Sequence, residues 1–478
     1  MHELQQRPGM LAIVIIYLVG LACLGFYMFN KQKKLEAQGN GTKEFFLAGG
    51  SLGKLVALGT MLATYTGNGT VAGGGNSLTY NYGIWPGICF SIPPLLAFTF
   101  LGIIAPKIRS SGCVTCAQLI EKKFGSGARL FAGIVLMLSM ISIVSYQFKG
   151  LANILWATVG VPVWVGNIIG CLLITFLAFG GGLRTVAATD AMSAFLMVFG
   201  LIIGIPILFN AVGGFGAMVD IAKQTHPGEL DFFGTTGSFW VWLGGYVPLF
   251  FLTIGDQNYY QRINSAKDLK TARFSLFGTG LAALLINTIV AFYAFTAKQW
   301  FGDNISASQA LISTATLMPT ILGGIVLAAA GAFAVTTGDS YLLSGAANFT
   351  LDIYKHKINP EADEAKQMKV TRIFILCAGV FAFGILQLFP SVLAIQYWAY
   401  TISAAGMTPA ILGALLWKKS TKWGGIISMV VGTLITISWE WSLYKQTGIQ
   451  TVFVALPAAL IALIVVSLLT QKSNQEVA

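Results

Sequence analysis

Residues 331–340 read Gly-Ala-Phe-Ala-Val-Thr-Thr-Gly-Asp-Ser inside a long apolar stretch. In a helix, Phe333, Thr336, Thr337 and Ser340 fall on one stripe, with Asp339 at its edge. Neutral hydroxyls beside one carboxylate suit a monovalent hard cation and are weak ligands for a transition metal. Threonines in apolar helices commonly satisfy their hydroxyls on their own backbone. A carboxylate there is costly and needs a partner or a function, so Asp339 points beyond that plain reading to a cation site. Residues 64–76, Thr-Tyr-Thr-Gly-Asn-Gly-Thr-Val-Ala-Gly-Gly-Gly-Asn, supply a second source of oxygens. Each glycine costs a helix interior about 1 kcal/mol relative to alanine, which predicts an unwound stretch at Gly67-Asn68-Gly69. Gly73, Gly74 and Gly75 also suit close helix packing. Carbonyls freed by such a break can coordinate a small cation. Asn68, Thr70, Tyr146, Gln147, Gln396, Tyr397 and Trp398 are expected to face the break. Amides among aromatic faces suit a small amphipathic metabolite, an amino acid or an organic acid. Lys149 either snorkels to the membrane interface or meets a carboxylate.

These groups need a membrane to hold them. Only 10% of residues are charged and 55% are apolar, too few charges for a soluble surface. About thirteen segments are long and apolar enough to span: 10–29, 52–77, 84–105, 130–156, 162–182, 190–212, 237–256, 274–298, 319–347, 371–389, 392–416, 423–442 and 451–470. With the N-terminus outside and the C-terminus cytoplasmic, the great majority of lysines and arginines, Arg262 among them, fall in cytoplasmic segments. Only Arg7, Lys223, Lys298 and Lys445 lie outside. The positive charges form no face that tracks a phosphate backbone, which argues against a nucleic-acid partner despite the net +11. The first segment reads as an anchor and not as a removed signal peptide. Cys113 and Cys116 form a lone CxxC with no second pair, a weak metal or redox signal. The seventh segment carries Gly244, Gly245, Pro248 and then Gly255-Asp256-Gln257. Two weak helices, the second and the seventh, match inverted repeats around a site at the bilayer midplane.

At this point the sequence resembles the sodium/solute symporter family, which includes bacterial proline and pantothenate permeases and the sodium/glucose transporters. The resemblance runs from about 10 to 440 and rests on motifs in order: Phe45-Phe46-Leu47-Ala48-Gly49; Gly181-Gly182-Leu183-Arg184-Thr185-Val186 with Thr189-Asp190; Asp256-Gln257-Asn258-Tyr259-Tyr260-Gln261-Arg262 with Ala266-Lys267; Asp352-Ile353-Tyr354-Lys355; and Leu416-Trp417-Lys418-Lys419. It implies an all-α integral membrane fold with a LeuT-like core of five plus five helices. One polytopic domain, 1–470, would hold a peripheral helix (10–29), a first inverted repeat (52–212), a second (237–416) and peripheral helices (423–470). A cytoplasmic tail, 471–478, would follow.

The resemblance also implies a main sodium site. The carbonyls of Ala63, Thr66 and Phe333 and the hydroxyls of Thr336 and Thr337 would form it. A second sodium site of some members would fall on Asp190, Thr336, Asp339 and Ser340, where Asp339 replaces the usual hydroxyl. Asp190 reads equally as a helix cap or a partner of Arg184. The sugar carriers' tyrosine gate and sugar-binding lysine fall here on Phe251 or Leu252 and near Ala283, which disfavours a sugar. The expectation is a multi-pass carrier of the cell (inner) membrane, not an enzyme. It would couple sodium to import of a small organic solute by alternating access. The alternative is a proton-coupled carrier or uniporter of the same fold using Asp339.

Overall fold

The computed structural model describes residues 2–35, 41–180, 182–236, 238–389 and 391–471. Gly181 and nearly all of the expected tail, 472–478, lie outside the described residues. Among them, eleven helices are long and apolar enough to cross a membrane. The two other expected segments are helical but shorter. The fifth is the apolar helix Val163–Phe179. The second is broken into Lys54–Tyr65, the single turn Asn68–Val71, and Gly74–Tyr82.

Several helices outrun their apolar cores because polar residues cap them beyond the expected ends. Asp268 caps Leu269–Phe301 by accepting from the Thr271 amide at 2.7 Å, and Asp363 caps Glu364–Leu386 through the Lys366 amide at 2.8 Å. Such caps satisfy amides that have no partner within the helix. The ninth span, Thr320–Ala347, is the axis of the molecule. Its most apolar window is 83% buried, against 17% for the first span, Pro8–Asn30, and 28% for the twelfth, Lys422–Thr447. The first and twelfth helices are thus the least buried of the eleven.

The seventh segment breaks at the last of its expected weak points. Phe239–Gly255 runs unbroken through Gly244, Gly245 and Pro248, and the helix breaks at Asp256, whose φ −77° and ψ 117° are extended. Gly245 is a packing contact, since a Cβ there would lie 2.3 Å from the Tyr397 hydroxyl. Past the break, Gln257–Ser265 lies against the start of the second span. The Leu52 amide donates to the Ser265 carbonyl at 2.9 Å and the Lys267 amide to the Leu52 carbonyl at 3.0 Å. Arg184 is ion-paired with Glu44 and donates to the Ala48 carbonyl at 3.1 Å. Arg184 is thus engaged away from Asp190.

Between the sixth and seventh spans, the turns Pro227–Leu230 and Gly234–Thr236 lie over Gly83, where a Cβ would meet the Glu229 backbone. Glu229 is buried and accepts from Gln299 Nε2 at 2.5 Å, with His226 Nδ1 4.0 Å away. Burial pushes its carboxyl above the usual range, opposed by Gln299 and by the charges of His226 and Lys298. The folded turn therefore holds the proton more tightly than the unfolded one. Its stabilisation is complete below the ordinary glutamate pKa and is lost as pH rises through the raised value. Amide-exchange protection factors across 227–236 are expected to fall over that window, and Glu229→Gln should flatten the dependence. Wild-type protection that ignores pH would count against this.

Candidate functional site

The break in the second span follows from where its amides go. The Gly67 amide turns to the Tyr65 carbonyl at 3.1 Å, and the Asn68 amide turns to Gln147 Oε1 at 2.8 Å. Neither closes its helical bond, so the Ala63 and Thr64 carbonyls lose their usual donors. The Thr70 amide turns to Gly67, which frees the Thr66 carbonyl in the same way. The ninth span meets these carbonyls. Thr337 Oγ1 donates to Ala63 O at 3.1 Å and lies 3.5 Å from Thr64 O. Thr336 Oγ1 lies 3.3 Å from Ala63 O, and it also donates to Ala332 O in its own helix at 2.8 Å. Gly67 makes this approach possible, since a Cβ there would lie 2.7 Å from Thr337 Oγ1. Ala63, Thr66, Phe333 and Thr336 have no exposed surface, and Thr337 has 3%. The oxygens of Ala63, Thr64, Thr336 and Thr337 thus meet in a buried place, and a small cation is the group that would use several of them at once.

One turn further along the ninth span lies a cluster of charge. Arg262 and Asp190 are fully buried and 3.3 Å apart. Arg262 Nη2 also donates to Ser340 Oγ at 2.8 Å, and its Nε to Thr60 Oγ1 at 3.1 Å. Thr60 Oγ1 in turn donates to Asp190 Oδ2 at 2.6 Å. Asp339 is buried beside them, and its Oδ1, like Asp190 Oδ1, has no hydrogen-bond partner among the described residues. Arg262, read from the sequence as a cytoplasmic loop charge, is instead an internal one.

Residues 45–432 match the family model described as Sodium:solute symporter family. The chain belongs to that family. It is 25% identical over 456 residues to a high-affinity choline transporter of Caenorhabditis elegans, covering 90% of this chain and 77% of that one. It is 22% identical over 477 residues to an osmoregulated proline transporter of Bacillus subtilis, covering 96% and 94%. Among solved structures, a sodium-coupled sialic acid symporter in its substrate-bound outward-open state shares the fold. Its TM-score is 0.80 at 19% identity, covering 96% of this chain and 98% of that one.

The expected solute-facing residues of this symporter fall into two groups. Asn68, Gln147 and Gln396 gather at the break. Asn68 Nδ2 donates to the Tyr146 carbonyl at 2.5 Å, and Gln396 Oε1 accepts from the Gly74 amide at 2.7 Å. Thr70 is buried on the same turn. Tyr397 and Trp398 turn away. Tyr397 stands against Gly245, and Trp398 packs on Phe389 with ring centroids 5.1 Å apart. The eleventh-span residue that joins Gln396 at the break is Tyr400, one turn further on and accepting from Gln396 Nε2 at 2.8 Å. That i, i+4 spacing was available in the sequence. Three further contacts had no sequence signal, because they depend on how helices cross. Tyr65 accepts from Asn287 at 3.0 Å, Tyr341 donates to Asp256, and Arg262 is bonded to Thr60. Lys149 is half-buried with no carboxylate within ion-pair distance among the described residues. Cys113 and Cys116 are buried free thiols. Asp352 of the Asp-Ile-Tyr-Lys motif pairs with Arg129 at 2.8 Å and accepts from Thr115 at 3.0 Å, tying the end of the ninth span to the fourth.

Proposed function

We propose that this chain imports a small organic solute coupled to sodium, by alternating access, from the cell membrane (the inner one where there are two). The reading includes thirteen membrane passes with the N-terminus outside, supported by the distribution of lysine and arginine. Its ion site is formed by the carbonyls of Ala63, Thr66 and Phe333 and the hydroxyls of Thr336 and Thr337. The observation that carries it is the meeting of the Thr337 hydroxyl with the Ala63 carbonyl where the second span unwinds. An ion bridging two elements stabilises the conformation in which they are close. Sodium entering from outside would hold the second and ninth spans together and fix the Asn68–Val71 turn that Gln147 and Tyr146 grip. Solute affinity would rise with it, and by linkage sodium affinity would rise with solute.

The solute is an amino acid or an organic acid, or a molecule of similar size and polarity. The amides of Asn68, Gln147 and Gln396 and the hydroxyl of Tyr400 support this class, as do relatives named for proline and choline. A second reading, proton-coupled or ion-independent transport through Asp339, is favoured by the unpartnered Asp339 Oδ1. Uptake into proteoliposomes at fixed pH, with an inward sodium gradient and then with potassium in its place, separates the two. Uptake that persists undiminished in potassium would overturn the sodium reading.

A further inference from the structure

We propose that a two-chain anionic phospholipid of the cytoplasmic leaflet docks between the first span and the fifth and tenth, with its phosphate on Arg372 and its acyl chains in two adjoining apolar grooves. The inference takes only the orientation of the chain from the reading above and does not depend on the sodium site. The first span is packed unevenly along its length. In its first half Met10, Val14 and Leu21 are buried, and Tyr17 is hydrogen-bonded to Ser193 at 2.6 Å. The ninth span receives that half so closely that a Cβ on Gly324 would lie 2.5 Å from Ile13. The second half stands off from the bundle. A groove of about 240 Å³ lies between Gly25, Phe26 and Phe29 and the fifth-span residues Phe176 and Phe179. A second, of about 420 Å³, continues past the same two phenylalanines to Leu376 and Val380 of the tenth span. Two apolar grooves that share a wall match the two chains of one phospholipid, and hydrocarbon is what covers such surface in a bilayer.

Polar chemistry at the cytoplasmic end of these grooves separates a phospholipid from hydrocarbon alone. Arg372 lies over the Phe29 ring, 5.8 Å from its centroid, and has no ion-pair partner among the described residues. It stands one helical turn before Leu376, which places its charge at the end of the second groove as well. Asp363 and Glu364, at the start of that helix, are two turns away, whereas Lys369 is exposed one turn away. An arginine left unpaired beside apolar surface at membrane depth is costly, and an anionic headgroup is the partner a bilayer supplies. A zwitterionic headgroup brings its own cation and gains less. Thr185, near the cytoplasmic start of the sixth span Leu183–Ala211, is buried in the wall of the first groove, and its Oγ1 has no hydrogen-bond partner among the described residues. A membrane threonine ordinarily bonds the carbonyl four residues earlier, as Thr189 does to Thr185 at 3.2 Å. The ester carbonyl at the head of an acyl chain would accept from the hydroxyl that Thr185 leaves free.

The test is native mass spectrometry of the purified full-length protein, equilibrated in detergent with equimolar phosphatidylglycerol and phosphatidylcholine bearing the same chains. Wild type is expected to retain one phosphatidylglycerol per chain, preferred over phosphatidylcholine by about fivefold, the factor one arginine near a bilayer surface confers. Arg372→Gln should lose the preference, and Arg372→Lys should keep most of it. Gly25→Leu fills the first groove. A Cβ at Gly25 would meet nothing within 4 Å, so this variant should fold normally and lose the retained lipid. Thr185→Ala should weaken retention of both lipids and leave the preference between them. Lys107→Gln, an exposed basic residue on the third span, should change nothing. Equal retention of the two lipids by wild type would overturn the proposal, as would an unaltered preference in Arg372→Gln or undiminished retention in Gly25→Leu. Glycerol phosphate bound as well as the lipid would show a phosphate site without the grooves, and a lipid-free dimer would show that a second copy covers this face. Either result would also overturn it.

Discussion

Thr337→Ala is expected to raise the sodium concentration for half-maximal uptake by about tenfold or more, equivalent to about 1.4 kcal/mol, with membrane expression little changed. The reason lies in how the two neighbouring threonines are bonded. Thr336 makes the bond a membrane threonine ordinarily makes, back to the carbonyl four residues earlier. Thr337 does not. Its hydroxyl reaches across to the second span, to Ala63 at 3.1 Å and toward Thr64 at 3.5 Å. A hydroxyl that crosses between helices without a partner in its own is already placed to be shared with an ion. Removing it takes away one proposed ligand and leaves the buried Ala63 carbonyl only the longer contact from Thr336, at 3.3 Å. Hydrogen bonds to charged groups contribute about 1.5–3 kcal/mol, so a tenfold loss is a lower figure. Thr336→Ala should cost less, because part of its bonding is internal to the ninth helix, and Thr337→Ser should retain most of the affinity. Sodium titration of uptake, normalised to surface protein, checks all three. Equal effects of the two alanine variants would count against the distinction.

The sequence showed this site unevenly, for physical reasons. The unwinding at Gly67 was legible because glycines and an asparagine in an apolar span have few stable alternatives. The hydroxyl stripe on the ninth span was legible because helical periodicity is local. In the seventh span Gly244, Gly245 and Pro248 are accommodated within the helix by the packing around them, and the break falls at Asp256, within the Gly255-Asp256-Gln257 stretch that the sequence also marked as weak. Trp398 misled for want of phase. Counting from Gln396, the residue that returns to the same face is Tyr400, and Trp398 points to Phe389. Arg262 was the deepest miss. Gln-Asn-Tyr-Tyr-Gln-Arg reads by polarity as a loop at the membrane surface. It instead continues past the seventh-span break as a helix packed into the bundle, with its arginine fully buried. Polarity marks where water is tolerated only if no buried partner exists, and Asp190, which completes this one, is 72 residues away.

Gly67→Ala is expected to abolish most sodium-dependent uptake by crowding alone. Gly67 has φ −106° and ψ −170°, a conformation open to any residue, so backbone strain contributes nothing. The obstacle is the ninth span. The added methyl would lie 2.7 Å from Thr337 Oγ1 and 2.9 Å from its Cγ2, both closer than side-chain carbons normally come. Overpacking of this kind costs about 1–3 kcal/mol, and here it acts where the second and ninth spans meet at the proposed ion site. Gly69 provides a control. A Cβ there would meet the amide end of Gln396 at 3.1 Å, the far end of a flexible side chain, and Gly69→Ala should be milder. A second substitution separates crowding from loss of a ligand. Gly67→Ala/Thr337→Ala removes the two closest atoms and leaves Cβ at 3.0 Å, so it should recover part of the thermal stability lost by Gly67→Ala, yet it cannot recover sodium affinity, because the hydroxyl is gone. Stability and ion binding would then couple in opposite senses at one pair of residues, which a general folding defect cannot produce. Gly67→Ala with wild-type uptake and melting temperature would show that the second and ninth spans do not come this close in the transport cycle.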